Sequence, residues 1–246
     1  MAGDRALTLI QFDKLMEGQG LVPFFQPIVR FQDFEVVGYE ILGRSSLFGL
    51  KTPLQMFQLA EQLGLQGELS QLFRSEGVRA GIELKRQPNL FLNMHPLELN
   101  SSRLVDKIGA LREISAAHPI TLEIHEAAVT DVSSMRKLKD ALRDLDIELA
   151  YDDFGAGQTR LVELVEVRPD YLKFDMRMIE NIHQAPAPRQ RMLEALVTMV
   201  HDLGITTIAE CVENDAESEA CRQLGFDLAQ GFLYGKPASV EHYCGG

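Results

Sequence analysis

The sequence predicts an α/β barrel, and three observations carry that expectation. Short β-branched or aromatic runs alternate with longer stretches of helical periodicity, about eight such runs fit in the 246 residues, and nearly every run ends in an acid, an amide or a lysine. Parallel barrel strands deliver their C-terminal ends to one face, so polar residues at those ends converge there. Eight strands with helices between most of them favour a barrel over a doubly wound sheet.

Residues 21–29 and 35–41 read as two strands joined by a polar turn at Gln32-Asp33, an opening that is irregular for a regular (β/α)8 order. Pro53 suits the first position of a helix over 54–63, where a missing N–H is harmless. Over 68–85, Leu69, Leu72, Phe73 and Val78 recur at helical spacing. Strands over 89–93 and 120–124 flank a helix over 102–114, and a helix over 132–145 leads into a strand over 147–151. The series continues as helix 161–167, strand 171–174, helix 189–203, strand 205–209, helix 216–224 and a last run over 226–232. Pro186-Ala187-Pro188 reads as a surface loop, and residues 1–19 as an N-terminal segment or the remnant of a linker.

Composition narrows the function classes. A net charge of −12 argues against binding the backbone of a nucleic-acid polymer, which needs clustered Lys and Arg. Cys211, Cys221 and Cys244 give neither a disulfide framework nor a zinc spacing, so a reducing cytoplasm is the expected compartment. The first ten residues lack a signal-peptide pattern, and no apolar stretch is long enough to span a bilayer, so no membrane is expected.

The sharpest local feature is Ala150-Tyr151-Asp152-Asp153-Phe154-Gly155-Ala156-Gly157, a strand-like run ending in two adjacent carboxylates and a glycine-rich turn. Adjacent aspartates repel; a pair of divalent cations bridged by carboxylate oxygens turns that repulsion to use, whereas the plain alternative is a solvated turn. The other strand ends carry Glu40, Asn93, Glu123 with Glu126, Lys173 with Asp175, Glu210 with Glu213, and Gln230. Each taken singly is equally a strand-end cap. Together they form an oxygen-rich set with one amide, which suits magnesium or manganese better than zinc and contains no Ser-His or Cys-His nucleophile pair. Two chemistries remain open on these residues. A two-metal site would activate water against a phosphodiester, with Lys173 holding or deprotonating that water; or metal-held carboxylates would serve proton abstraction next to a carboxylate, with Lys173 as the base.

Pro23-Phe24-Phe25-Gln26-Pro27-Ile28-Val29, Gly38-Tyr39-Glu40-Ile41-Leu42, Asn93-Met94-His95-Pro96, Glu123-Ile124-His125-Glu126, Asp152 to Gly157, Lys173-Phe174-Asp175, Ala209-Glu210-Cys211-Val212-Glu213 and Gln230-Gly231-Phe232 together resemble the EAL-domain family of cyclic di-GMP phosphodiesterases, in the family's order. The resemblance implies a modified TIM-like (β/α)8 barrel over 20–240 whose first strand is antiparallel to the others. It implies that Glu40, Asn93, Glu123, Asp152, Asp153 and Glu210 bind two ions, Mg2+ or Mn2+, with Lys173 orienting the attacking water. Glu213 and Asp175 match further residues of the active-site shell, as does Gln230; Arg44 matches an arginine that contacts a substrate phosphate. Gln26 lies in the segment lining the nucleotide pocket. Glu126 matches the residue that fixes the loop after the acidic pair, a loop tied in that family to the second metal site and a homodimer contact. The implied reaction is hydrolysis of cyclic di-GMP to linear pGpG, and a regulatory or sensor domain is the expected partner. A non-hydrolysing cyclic di-GMP receptor is the alternative, although members of that kind have usually lost a metal ligand and every ligand position here carries a suitable residue.

The chain also departs from the family pattern. Ile41 stands for Ala, Gly43 for a bulkier apolar residue, and Gln158-Thr159-Arg160 for Tyr-Ser-Ser, which bears on the loop and the dimer. His95 and His125 replace small hydroxyl residues, and are expected either to tune the site with pH or to be buried and satisfied by neighbours. Cys211 replaces a glycine and is expected to be a small packed residue with no catalytic role.

Overall fold

Thr52 starts the first helix of the barrel wall as its sequence dictates. Its side chain accepts from the Gln55 amide, the Gln55 side chain returns to the Thr52 backbone, and Pro53 fills the first turn. The computed structural model describes residues 2–129, 131–157 and 160–244. Its elements are α1 (Ala2–Met16), β1 (Leu21–Arg30), β2 (Val36–Ser45), α2 (Pro53–Leu63), α3 (Gln66–Gly81), β3 (Asn89–Asn93), α4 (Leu104–Ile114), β4 (Ile120–His125), α5 (Val132–Asp144) and β5 (Glu148–Phe154). They continue as α6 (Leu161–Glu166), β6 (Tyr171–Phe174), α7 (Met176–Ile179), α8 (Ala187–Asp202), β7 (Thr206–Ala209), α9 (Asp215–Gln223), β8 (Leu228–Gln230), β9 (Ala238–Ser239) and α10 (Val240–Cys244).

Strands β2 through β8 are parallel neighbours in sequence order, and β1 closes the barrel by pairing antiparallel with both β2 and β8. The irregular opening is therefore a hairpin whose first strand runs against the rest. Side chains alternate across each strand, and the inward set stacks in three layers. At the bottom, Glu148 Oε2 accepts from Asn89 Nδ2 (2.9 Å), Thr121 Oγ1 (3.1 Å) and the Tyr171 hydroxyl (3.2 Å). Ile28, Phe91, Ile208 and Leu228 fill the middle, with Phe91 edge-on to Tyr171. Two residues further along the strands stand Glu40, Asn93, Glu123, Asp152, Lys173 and Gln230, at the C-terminal mouth. The main core lies outside the strands, under the helices, while Phe12 and Leu15 of α1 pack with Leu50, Met56, Ala60 and Leu69 in a second cluster.

Some elements differ from the periodicity. Apolar spacing continues to the buried Leu84, yet α3 stops at Gly81, because Glu83 and Leu84 turn back onto the carbonyls of Ala80 and Gly81. Pro186-Ala187-Pro188 is the start of α8, with proline in its first turn, rather than a loop. Strand β5 runs on through both aspartates to Phe154, and β2 runs on to Ser45, which carries Arg44 into the sheet. Gln158 and Thr159 lie outside the described residues.

Candidate active site

Lys173 is the centre of the mouth. Its side chain, 1% exposed, places Nζ 2.8 Å from Glu123 Oε1, 2.9 Å from Glu210 Oε1, 3.0 Å from Asp152 Oδ1 and 3.7 Å from Glu40 Oε2. Burial opposes the charge on the amine, but Asp152, Glu123, Glu210 and Glu40 outweigh it and hold the lysine pKa well above its usual value. The same burial pushes the carboxyls of Glu123 and Glu210 well up; Lys173 opposes the rise, while Glu40 and Asp152 add to it. Glu40 is fixed from two sides: Asn93 Nδ2 donates to Oε1 at 2.8 Å, and Gln230 Nε2 donates to Oε2 at 2.6 Å. Gln230 also donates to Gln26 Oε1 at 3.2 Å, which links β1 to the cage.

Adjacent strand residues normally face opposite sides, so Asp152 and Asp153 should diverge. A bulge resolves this. The β5–β6 register shifts between Tyr151 and Phe154, Asp153 takes a left-handed φ of 59°, and an oxygen from each of Asp152, Asp153 and Glu210 falls in a group spanning at most 4.8 Å. Aspartate is among the few non-glycine residues that tolerate that conformation. Burial and the Asp152 charge raise the Asp153 pKa, against the pull of His125 and Lys173.

This donor set fits divalent cations. Both oxygens of Glu123 and Oδ1 of Asp152 are buried; Lys173 meets one oxygen of each as an ion pair, and Glu123 Oε2 has no hydrogen-bond partner. Buried carboxylate oxygens of that kind want a cation, and the hard oxygen donors with one amide suit magnesium or manganese.

Other sequence-picked residues sit around the cage. Arg44 lies two pleats beyond Glu40 on β2, with its guanidinium over the Phe24 ring at 5.8 Å; partial burial lowers its pKa and Glu40 opposes that. Asp175 caps α7 by accepting from the Arg177 amide at 3.0 Å, just past the end of β6. Glu213 stands exposed on the loop after β7, outside the cage, and its amide donates to Glu217 Oε2. Glu126 is buried below the acidic turn, where its Oε1 accepts from the Arg160 amide at 2.6 Å and its Oε2 from the Gly155 amide at 3.4 Å. Glu126→Ala therefore removes the shared anchor of both amides. Faster hydrogen exchange at Gly155 and Arg160, with a fall in turnover of about 10–100-fold, is the expected result; unchanged exchange would show the loop is held elsewhere.

Three expectations change. His95 is half-buried and His125 exposed, so neither is a buried core histidine; each accepts an amide hydrogen bond at Nδ1, from Leu97 and Ala127 respectively. That places the proton of neutral His125 on Nε2, 3.1 Å from Asp153 Oδ2. Cys211 is exposed rather than packed, because it adopts φ 56°, the left-handed backbone that glycine meets without strain.

Two supports were not singled out from sequence. Buried Arg74 joins Glu98 (2.8 Å), Ser70 (2.8 Å) and the Asn93 carbonyl (3.1 Å), which fixes the backbone around Asn93 and His95. A charged residue on the buried stripe of α3 was the available signal. Glu217 likewise accepts from the Asn181 and Glu213 amides.

Beside the cage lies a cavity of ≈ 390 Å³, bordered by Glu40, Asn93, Asp152 and Asp153 on one side and by Phe57, Phe73 and His95 on the other. By sequence, the EAL domain family model matches residues 11–237. The chain belongs to the EAL-domain family.

Cyclic di-GMP phosphodiesterase RocR of Pseudomonas aeruginosa is 30% identical over 235 residues, a match covering 91% of this EAL-domain chain and 59% of RocR. Among solved structures, the PaMucR phosphodiesterase in complex with c-di-GMP superposes with a TM-score of 0.83 at 27% identity, covering 95% of this chain and 98% of that one. A manganese/cy-diGMP complex of Klebsiella pneumoniae BlrP1 gives 0.81 at 29% identity, over 91% of this chain and 57% of that one. Among the described residues, no helix of this EAL domain is long and apolar enough to cross a membrane.

Proposed function

We propose that this EAL domain is a metal-dependent phosphodiesterase that hydrolyses cyclic di-GMP to linear pGpG. The observation that carries the proposal is the convergence of Glu40, Glu123, Asp152 and Glu210 on Lys173, with Asp153 turned into the same group by the bulge. A dianionic diester has no reason to approach such a mouth unless cations stand in it. We assign Glu40, Asn93, Glu123, Asp152, Asp153 and Glu210 as ligands for two ions, Mg2+ or Mn2+. Bound there, such ions lower the pKa of water and offset charge on the phosphate.

The chain's own residues supply the rest. Lys173, at the centre of the carboxylates, is placed to donate a hydrogen bond that fixes the attacking water, and we assign it that role. Glu213 is assigned to the outer rim, where it meets protons or solvent entering the site. Arg44 offers its guanidinium to a substrate phosphate, and Gln26, Gln230 and Asp175 line the approach. Glu126 holds the loop that completes the site. The water oxygen bonds to one phosphorus in line, the opposite P–O3′ bond breaks, and O3′ takes up a proton as water gives one up, which leaves the 5′-phosphate and free 3′-hydroxyl of linear pGpG. The chain spans 59% of RocR, and a regulatory or sensor domain is the proposed partner; a homodimer and a cytoplasmic setting are proposed from the family resemblance alone.

The test is hydrolysis of cyclic di-GMP by the purified chain in magnesium, in manganese and in excess chelator, with products separated by chromatography. Metal-dependent pGpG is expected. Binding of intact cyclic di-GMP with no product would instead favour the receptor function, and neither binding nor product would reject the site assignment.

A further inference from the structure

Two positions where the chain departs from the family pattern, Gly43 and His95, meet on one wall of the cavity beside the acidic cage. A Cβ added at Gly43 would lie 2.5 Å from both Cδ2 and Cε2 of Phe73. Non-bonded carbons settle at roughly 3.5–4.0 Å, so a bulkier residue at 43 and the Phe73 ring in its present place exclude each other. Gly43 yields the space and Phe73 fills it. Phe57 packs edge-on to Phe73, with centroids 5.7 Å apart at 88°, and the His95 ring lies nearly parallel to Phe57, 5.6 Å away at 10°. All three rings are half-buried, so each is packed on one side and open on another. The His95 ring is fixed in turn, since its Nδ1 accepts from the Leu97 amide and its own amide is held by Ser70 and Glu98.

We propose that Phe57, Phe73 and His95 form a stacking wall that seats one purine base of the substrate, and that Gly43 is the residue that permits it. The inference rests on the phosphodiesterase reading of the adjoining site. The chemistry is that of a flat π-face offered to a base whose phosphate lies across the cavity at the carboxylates. Aromatic rings on a fixed wall bind a base through its face, and the larger purine face stacks more strongly than a pyrimidine. Two offset rings held parallel extend naturally to a third, and the cavity falls in the size range of small-ligand pockets. None of the three ring residues is among the proposed metal ligands or is Lys173, so the effect of the wall belongs to substrate binding and base preference.

The test uses His95→Asn, which retains an acceptor for the Leu97 amide while removing the ring, together with Phe57→Leu. Steady-state kinetics are measured on cyclic di-GMP and on its pyrimidine counterpart cyclic di-UMP, with thermal melts as the folding control. In each variant KM for cyclic di-GMP is expected to rise about 5–100-fold, with kcat within about threefold of wild type and a smaller kcat/KM preference for the purine dinucleotide. Gly43→Leu is expected to raise KM through displacement of Phe73. The double variant Gly43→Leu with Phe73→Ala should relieve the clash and restore the melt while KM stays high. Unchanged KM in His95→Asn, an equal loss of kcat with no change in base preference, or wild-type KM in the double variant would each overturn the wall. Wild-type protein hydrolysing neither dinucleotide would remove the phosphodiesterase reading, and the wall with it; wild-type hydrolysis with indifferent wall variants would remove the wall alone.

Discussion

Asp152→Asn is expected to lower kcat on cyclic di-GMP by ~1,000-fold or more, about 4 kcal/mol of barrier, and to leave the barrel folded. The substitution keeps the size of the side chain and one oxygen and removes the charge. That charge matters at two places. Asp152 Oδ1 is buried 3.0 Å from Lys173 Nζ, and an Asp152 oxygen also belongs to the group with Asp153 and Glu210. In the proposed site the residue both contacts a cation and helps hold the ammonium that orients water, so one substitution weakens two parts of the machinery. Asn93→Ala should cost less, because Asn93 is exposed and neutral, so its loss removes a neutral donor and the hydrogen bond to Glu40 but no charge. The check is product formation measured beside a thermal melt. A folded Asp152→Asn protein within about tenfold of wild-type kcat would put the reaction elsewhere.

What could be read ahead of the structure was what depends on period and strand order. Glu123 lies two residues along from Thr121, Lys173 two from Tyr171, and Asn93 two from Phe91, so alternation together with a barrel brings them to one mouth whatever the loops do. The antiparallel first strand was implied by the family resemblance, and it accounts for the irregular opening of two strand patterns separated by a short polar turn. The bulge at Asp153 was not legible, because alternation alone sends neighbours to opposite faces. The turn is set by contacts made after folding: Ala156 donates to the Asp153 carbonyl and Asp175 to that of Phe154. Arg74 and Glu98 are separated by 24 residues and by a strand, so no local pattern pairs them. Cys211 was misjudged for a related reason. Residue type speaks to burial, whereas a positive φ imposed by the chain path turned this side chain outward.

Lys173→Met should act on the fold as well as on turnover, and the two effects separate by metal and by pH. In chelator, the buried ammonium is the counter-charge for Glu40, Glu123, Asp152 and Glu210; a methionine of similar length leaves those carboxylates facing one another. Breaking a buried pair by removing one partner costs roughly 3–5 kcal/mol. For a domain of this size that is a fall in Tm of about 6–20 °C. The loss should shrink at low pH. Glu123 and Glu210 already have pKa values raised above the unfolded value, so the folded state takes up protons there; the stability this contributes is present below about pH 4.5 and fades as pH rises through the higher folded values. Without the ammonium those carboxyls rise further, and the deficit of the variant relative to wild type should widen from pH 5 to pH 8. Saturating manganese or magnesium supplies the missing positive charge and should return most of the lost Tm, a larger metal-induced shift than in wild type. Turnover should not return with it, because in the proposed mechanism a cation restores charge but not the donor that orients water. Melts in chelator and in metal across that pH range, alongside kcat, read all of this. Equal Tm for variant and wild type in chelator at pH 8 would mean that the carboxylates are not balanced by Lys173, and recovery of kcat in metal would remove the lysine from the chemical step.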